Sequence, residues 1–447
     1  MGSAGTLRGI IEDRAAALGS LPFLVMPDGQ LSYADTDELA NRTANALAGL
    51  GVAPGDIVMA RCGNATPMVA TWFGCNKLGA VFMPVNPLLT GEPLRRVMAH
   101  AGAKVAVCDR QLLAELAEIR AGLPALRTIL VARETGHAPG VRVSKAGLRP
   151  DGTYSFDALV EAASSSLPPP LDEDPGAPTK LSYTSGTTGN PKGVVYSHRS
   201  IYLHSMGAGL ADGMGLSERD TVLPVVPMFH ANAWGLPHAG MMMGANIVLP
   251  GRFMDPLRVA RLIEREHITI ASGVPTIWIG LLNLLDKEQF DFSSLRAIYC
   301  GGSAVPKALI EGLYRKHINI VHAWGMTETS PLASLSRLRS YQEDLPLEEQ
   351  FRIKARQGTV LPGVDFRVVN METGQEVPWD NESFGELQVR GPWVARAYYN
   401  DSESAAKFAD GWLRTGDVAV VDAEGYIQIM DRTKDLVKSG GEWISSV

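Results

Sequence analysis

Cysteine is scarce in this chain. Four occur in 447 residues, Cys62, Cys75, Cys108 and Cys300, scattered and without a C-x-x-C pair. That excludes a disulfide framework or a cysteine zinc site and fits reduced thiols in a cytoplasmic protein. A basic excess is also missing: 41 Lys and Arg face 48 Asp and Glu, a net charge of −7. A general nucleic-acid or anionic-membrane binder carries the opposite balance, so no nucleic-acid partner is expected. A small anionic ligand is not excluded, because a few local cations suffice to hold one. The first residues lack a charged stretch followed by an apolar core, so no secretory leader is expected.

Uninterrupted hydrophobic runs are lacking too. The nearest approach lies between Asp220 and Arg252, where no Asp, Glu, Lys or Arg occurs. Pro224, Pro227, Pro237 and Pro250 break it, and His230, Asn232, His238 and Asn246 are polar. A spanning helix needs ~20 mainly apolar residues with its backbone satisfied internally. The expectation is instead a buried strand, a turn and a buried helix lining a pocket, with no integral membrane segment. At 45% hydrophobic and 20% charged residues, the composition is that of a folded globular protein of roughly two or three domain-sized units.

Strand and helix patterns alternate along the first ~180 residues, which predicts a largely parallel sheet with helices on its faces. Asp35 to Leu50 reads as an amphipathic helix stopped by Gly51, and Ile57–Ala60 and Lys104–Cys108 read as short strands. Residues 163–178 are rich in Ser, Pro and Asp and read as a surface linker. Alternation resumes from Leu181 to about Ser334, with helices over Val259–His267 and Pro275–Leu285 and strands over Ile268–Ser272 and Leu295–Tyr299. Residues 337–356 are charge-rich and read as a solvated helix with its connections. Val364–Asn370, Phe384–Arg390, Val418–Val421 and Tyr426–Met430 then read as strands, with Asp422–Gly425 as a hairpin loop. The fold class expected is α/β: two similar, mostly parallel sheets layered with helices, plus a small β-rich subdomain.

Glycine, at 46 residues, is more abundant than in an average chain, and one cluster of it carries chemistry. Residues 183–193 read Tyr-Thr-Ser-Gly-Thr-Thr-Gly-Asn-Pro-Lys-Gly: three glycines, the hydroxyl residues Thr184, Ser185, Thr187 and Thr188, and Lys192. Glycine lets backbone N–H groups turn toward an anion, hydroxyls add short donors, and lysine adds a mobile point charge. The segment is not a Walker A loop, since Gly193 and not Ser or Thr follows the lysine. A plain surface loop is the bland alternative, and this density of donors speaks against it.

The segment resembles the signature loop of the acyl-adenylate-forming superfamily, which includes acyl-CoA synthetases, peptide-synthetase adenylation domains and firefly luciferase. The likeness continues in order through nearly the whole chain. It covers Trp324-Gly-Met-Thr-Glu-Thr-Ser330, Gly385–Gly391, Gly411-Trp-Leu-Arg-Thr-Gly-Asp417, and Asp431-Arg-Thr-Lys-Asp435 with Lys438–Ser445. The resemblance implies that ATP and a carboxylate combine with release of pyrophosphate. Both reactants are anionic, so such a site must neutralise charge and align the attack. By that resemblance Thr184, Ser185, Gly186, Thr187, Thr188, Gly189 and Lys192 would hold the phosphates, Thr327 would reach the α-phosphate, and Glu328 would hold Mg²⁺. Asp417 would accept both ribose hydroxyls, and Arg432 would contact ribose or phosphate. Adenine would lie against Gly301, Gly302, Ser303 and Ala304 and against Trp324 and Gly325. Asp431 would be the hinge. Taken singly, Glu328 could be an ordinary helix-start carboxylate, Asp417 a turn residue and Trp324 a core aromatic.

Substrate class is read from the uncharged stretch. His230-Ala-Asn232-Ala-Trp234 resembles the segment of fatty acyl-CoA synthetases in which the histidine meets the substrate carboxylate or nucleotide and the tryptophan gates an acyl tunnel. No carboxylate lies here to pair an amino-acid ammonium, and a buried unpaired charge is costly. The absence of Lys and Arg from the same stretch likewise disfavours a second substrate carboxylate held by it. A fatty or aryl acid remains, with Gly301 also against the substrate and CoA as thiol acceptor. The Met241–Met243 run suits an adaptable apolar wall and equally well suits plain core packing.

The resemblance divides the sequence into a large domain, residues 1–430, with subdomains near 1–180, 181–336 and 357–430, and a hinge with the start of a lid, 431–447. Family members continue for ~100 further residues, a domain-sized lid, and a truncated chain is expected to bind adenylate while forming it weakly. The alternative of another class is a nonenzymatic module that binds and delivers an acyl- or aryl-adenylate. Related synthetases are often homodimers, but no interface signal is visible in the sequence.

Overall fold

Ser32 opens the first long helix, Tyr33–Gly49, through a capping box. Its hydroxyl accepts from the Asp35 N–H at 3.0 Å, and Asp35 Oδ2 accepts from the Ser32 N–H at 2.9 Å. Two orphan donors are thereby satisfied, which is why the helix begins two residues before the expected Asp35. The next helix, Thr66–Leu78, is buried from Pro67 to Leu78. It can approach its neighbour because position 74 is glycine: a Cβ there would stand 2.7 Å from Thr43 Cγ2.

The computed structural model describes residues 5–27, 29–132, 152–169, 171, 174–184, 192–251, 254–402, 404–433, 435, 437–439 and 442–444. Of 232, 437–439 and 442–444 it describes the backbone alone. The chain divides into two units, residues 1–209 with 215–254, and 210–214 with 255–447.

In the first unit the strands are β1 (Pro22–Met26), β2 (Gly29–Ser32), β3 (Ile57–Arg61), β4 (Val81–Pro84), β5 (Val105–Asp109), β6 (Thr128–Ala132), β7 (Tyr154–Ser155), β8 (Pro178–Tyr183), β9 (Gly193–Ser197), β10 (Thr221–Pro224) and β11 (Asn246–Val248). Seven of them form a sheet in the order β7-β6-β5-β3-β4-β8-β9. It is parallel except for the antiparallel ribbon β8–β9. The strands β3 and β5 are buried along their whole length, as near-continuous apolar runs in a covered parallel sheet should be. Elsewhere in this unit β10, β11 and β1 pair in parallel, and β2 closes on β1 antiparallel.

The uncharged stretch forms β10, a turn, the helices Ala231–Trp234 and Leu236–Met243, and β11. Nearly all of it is buried, including Met241 and Met242, and no helix among the described residues is long and apolar enough to cross a membrane. The segment expected as a linker lies at the surface but is strapped down. Arg8, itself buried, donates to the carbonyls of Lys77, Pro168 and Pro169 at 3.1, 2.8 and 2.9 Å. Asn45 donates to the carbonyls of Ser164 and Ser166.

In the second unit, β12 (Ile270–Gly273), β13 (Ala297–Gly301) and β14 (Ile320–Gly325) are parallel, and β15 (Leu332–Ser336) and β16 (Thr359–Val360) extend them antiparallel. Helices Pro256–Arg265, Pro275–Leu285 and Lys307–Arg315 alternate with these strands. The small β-rich part is a four-stranded antiparallel sheet of β17 (Asp365–Val369), β18 (Gly385–Arg390), β19 (Leu413–Val421) and β20 (Ile427–Arg432). The β19–β20 hairpin turns at residues 422–425 as expected, with Asp422 Oδ1 accepting from the N–H groups of Glu424 and Tyr426. The α/β class, with parallel-rich sheets, helices and a small antiparallel sheet, is the one expected.

Candidate functional site

The second unit gathers residues from four separate motifs. Along β19 and β20 the register pairs Asp417 with Arg432, and directly opposite residues share a face. Arg432 Nε stands 2.8 Å from Asp417 Oδ1. From β14, Trp324 donates its Nε1–H to Asp417 Oδ2 at 3.1 Å. Asp417 is only 3% exposed, and burial raises its pKa from the ordinary value while Arg432 and Trp324 pull it back. Each carboxylate oxygen thus holds one protein donor and retains lone pairs for another, as two ribose hydroxyls would require. Thr415 sets the backbone here: its hydroxyl donates to the Leu387 carbonyl at 2.6 Å and accepts from the Asp417 N–H at 3.0 Å.

Gly325 explains the turn that follows. A Cβ at this position would lie 1.8 Å from the Pro331 carbonyl oxygen, so no other residue fits without moving the chain. A bulge there leads β14 into a single helical turn, Thr327–Thr329. Glu328 and Thr327 are both buried in it. The Tyr398 hydroxyl donates to Glu328 Oε1 at 2.6 Å. Glu328 Oε2 has no hydrogen-bond donor among the described residues. Burial, then the carboxylate of Glu328, hold the Tyr398 phenol well above its usual range. Lys407 lies in the field of Glu386, Glu328 and Asp417, yet burial lowers its pKa. Gly301 pairs with Ala323, beside Trp324, and Gly302, Ser303 and Ala304 follow β13 with exposed surface. Asp431 is buried one register step from Asp417.

In the first unit, β8 and β9 bring the two ends of the glycine-rich segment together. The Thr184 N–H donates to the Lys192 carbonyl at 3.0 Å. Ser185, Gly186, Thr187, Thr188 and Gly189 lie outside the described residues. His230 is exposed, but enough protein surrounds it that desolvation, then the charge of Lys180, lower its pKa. It enters a left-handed turn in which Ala231, Ala233 and Trp234 have φ of 46°, 48° and 59°. Such backbone costs an L-residue about 1–2 kcal/mol. Trp234 is buried, and the Asn232 side chain lies outside the described residues.

Two neighbours of the second unit's site residues were not read from the sequence: Tyr398, which donates to Glu328, and Lys407, which lies in the field of Glu386, Glu328 and Asp417. Neither sits in a motif of its own.

The donor set suits the groups the family chemistry needs. Mg²⁺ is usually held by one or two carboxylates together with phosphate oxygens, and Glu328 offers one carboxylate oxygen with no donor among the described residues. No cluster of three metal-ligating side chains occurs among the described residues.

Over residues 11–399 the chain matches the family of AMP-binding enzymes, and it belongs to that family. Among curated relatives, it is 40% identical over 419 residues to a long-chain-fatty-acid–CoA ligase of Thermus thermophilus, covering 93% of this chain and 74% of that one. It is 38% identical over 410 residues to a medium-chain-fatty-acid–CoA ligase of Ectopseudomonas oleovorans, covering 91% and 73%. Among solved structures, the anthranilate CoA ligase AuaEII in complex with anthranoyl-AMP superposes with a TM-score of 0.85 at 27% identity, covering 98% of this chain and 79% of that one.

Proposed function

We propose that this chain carries the adenylating body of an acyl-CoA ligase. It would activate an apolar carboxylic acid, a fatty acid foremost, to an acyl-adenylate with release of pyrophosphate, and the acyl group would then pass to CoA. The observation that carries the reading is the Trp324–Asp417–Arg432 constellation with Glu328 nearby in sequence on the same strand-to-turn path. A carboxylate so buried and so held is suited to two vicinal hydroxyls of a nucleoside.

ATP would supply the adenylyl group, and Mg²⁺ bound with it would neutralise phosphate charge. The chain's own residues do the rest. Asp417 would orient the ribose, Trp324 and the Gly301–Ala304 turn would flank the base, and Thr327 would donate to the α-phosphate. Lys192 and the hydroxyls from Thr184 onward would stabilise charge on the leaving pyrophosphate. Glu328, set by Tyr398, would offer its second oxygen to the metal. His230 would meet the attacking carboxylate; a neutral ring can donate from one nitrogen while the other accepts. The uncharged walls of 221–251 favour an apolar tail, and the two fatty-acid ligases among the relatives support that choice.

The test is acid-dependent exchange of pyrophosphate into ATP across alkyl and aryl acids. Exchange with alkyl acids that needs Mg²⁺ is the expected result. Absence of exchange with every apolar acid, by a protein that includes the lid, would overturn the substrate assignment.

A further inference from the structure

Lys180 lies in the middle of β8 and is 2% exposed. Its register partner on β9 is Tyr196, and its Nζ sits 3.9 Å from the Tyr196 ring centroid and 5.8 Å from that of Trp72. Among the described residues it meets no carboxylate and no hydrogen-bond acceptor. Two ring faces offset only part of what it costs to bury an ammonium.

The polar groups around Lys180 are also of one kind. His238 packs tilted against Trp72 with ring centroids 4.2 Å apart, and its Nε2 meets Asn76 Nδ2 at 2.7 Å. Its Nδ1, the indole N–H of Trp72 and the hydroxyl of Ser182 are buried and have no hydrogen-bond partner among the described residues. Ser182 stands two residues along β8 from Lys180, hence on the same face. The field of Lys180 acts on His204, His230 and His238 alike. The result is a buried set of donors and bases with no acid among the described residues.

We propose that Lys180 and His238 form a recognition subsite for an oxygen group, a hydroxyl or a second carboxylate, on the tail of the acid. This rests on the reading that the chain activates a carboxylic acid, and it departs from a wholly apolar tail by adding one oxygen group to it. The lack of Lys and Arg in residues 221–251 argued against such a group; Lys180 comes to the same neighbourhood from another strand. Burial alone holds the amine well below the ordinary lysine range. Its Nζ–H groups can donate to a hydroxyl, and a bound carboxylate would favour its protonated form.

The experiment is calorimetric binding of non-hydrolysable acyl sulfamoyl-adenosines in matched sets: alkyl, ω-hydroxy and ω-carboxy tails from butyryl to decanoyl length. At one length an oxygenated member should bind at least ~tenfold more tightly than its alkyl match, the worth of one buried charge-assisted or well-made hydrogen bond. A preference for the carboxylate should come with proton uptake, seen as a dependence of the heat on buffer; a preference for the hydroxyl should not. Lys180→Met should abolish the preference and spare alkyl binding, while Lys180→Gln should keep part of the hydroxyl preference. The melting temperature of Lys180→Met, equal to or above that of the parent, would show that the variant is folded. Equal or weaker binding of oxygenated tails at every length overturns the proposal. So does a loss that Lys180→Met imposes equally on all tails, which would put Lys180 on the reacting carboxyl group. If no analogue of any tail binds, the adenylating reading itself fails.

Discussion

Two lysines of the first unit are buried to the same degree and in opposite ways. Lys77 Nζ lies 3.0 Å from Glu12 and 2.6 Å from Asp37. Lys180 has two aromatic rings. In the first case the charges cancel inside the fold, and the lysine joins the helix Leu7–Leu18 to the helix Tyr33–Gly49. In the second case no carboxylate among the described residues answers the amine. A buried ionisable group that is answered locally belongs to the scaffold; one left unanswered points outward, to something that binds.

The sharpest way to break this contrast is to truncate both. Lys77→Met leaves Asp37 without its cation, while Glu12 keeps Arg8 at 2.8 Å, and should lower stability by about 3 kcal/mol, read as a shift of the urea midpoint. Lys180→Met removes a desolvated amine and should leave the midpoint unchanged or raise it. Equal losses from the two would erase the distinction.

Asp417 extends the contrast to a carboxylate that is paired and yet proposed to bind. Its partner Arg432 is half exposed, so Asp417→Ala strands little. Its stability cost should therefore be small, while affinity for an adenylate analogue should fall about tenfold to a hundredfold, measured by titration. Glu328→Ala should instead reduce Mg²⁺-dependent exchange more than analogue binding. The reverse pattern would undo both roles.

Buried histidines also set the response to acid. Burial lowers His204 to about 3 and His322 to about 4. The unfolded chain protonates its histidines near pH ~6.5, whereas these two stay neutral in the fold. Stability is therefore complete above that pH and falls as pH drops toward about 4 and about 3. Each residue should contribute about 1 kcal/mol per pH unit in that window. Urea midpoints between pH 7 and pH 5, as round working values, should fall less in His204→Asn than in the parent. The smallest effect is expected for Tyr398→Phe, which removes one hydrogen bond to Glu328. Exchange should drop a few-fold, with the apparent Mg²⁺ requirement altered.

Local signals carried much of the fold. The helix Pro275–Leu285 has the boundaries expected from its proline start and apolar run, and the turn at 422–425 follows from Asp and Gly at the right offsets. Boundaries slipped where a side chain decides them: Ser32 starts its helix early because Asp35 answers it. The charge-rich stretch 337–356 became a short turn, Ser340–Gln342, and the helix Leu347–Ala355. Motif residues of the candidate site were legible because chemistry fixes their types and spacing. Tyr398 and Lys180 were not, because a tyrosine after a strand and a lysine within one gain meaning only from their neighbours in space. Lys180 even mimics the polar half of an alternating strand, which is why it passed as ordinary.

The strap over residues 164–169 has a practical consequence. Asn45 grips carbonyls near its start, and the guanidinium of Arg8 grips carbonyls near its end. A chain severed between Ser166 and Pro168 would keep both new ends anchored to helices that precede the cut. The strap is thus a natural seam, at which the molecule could be expressed as two pieces that reassemble.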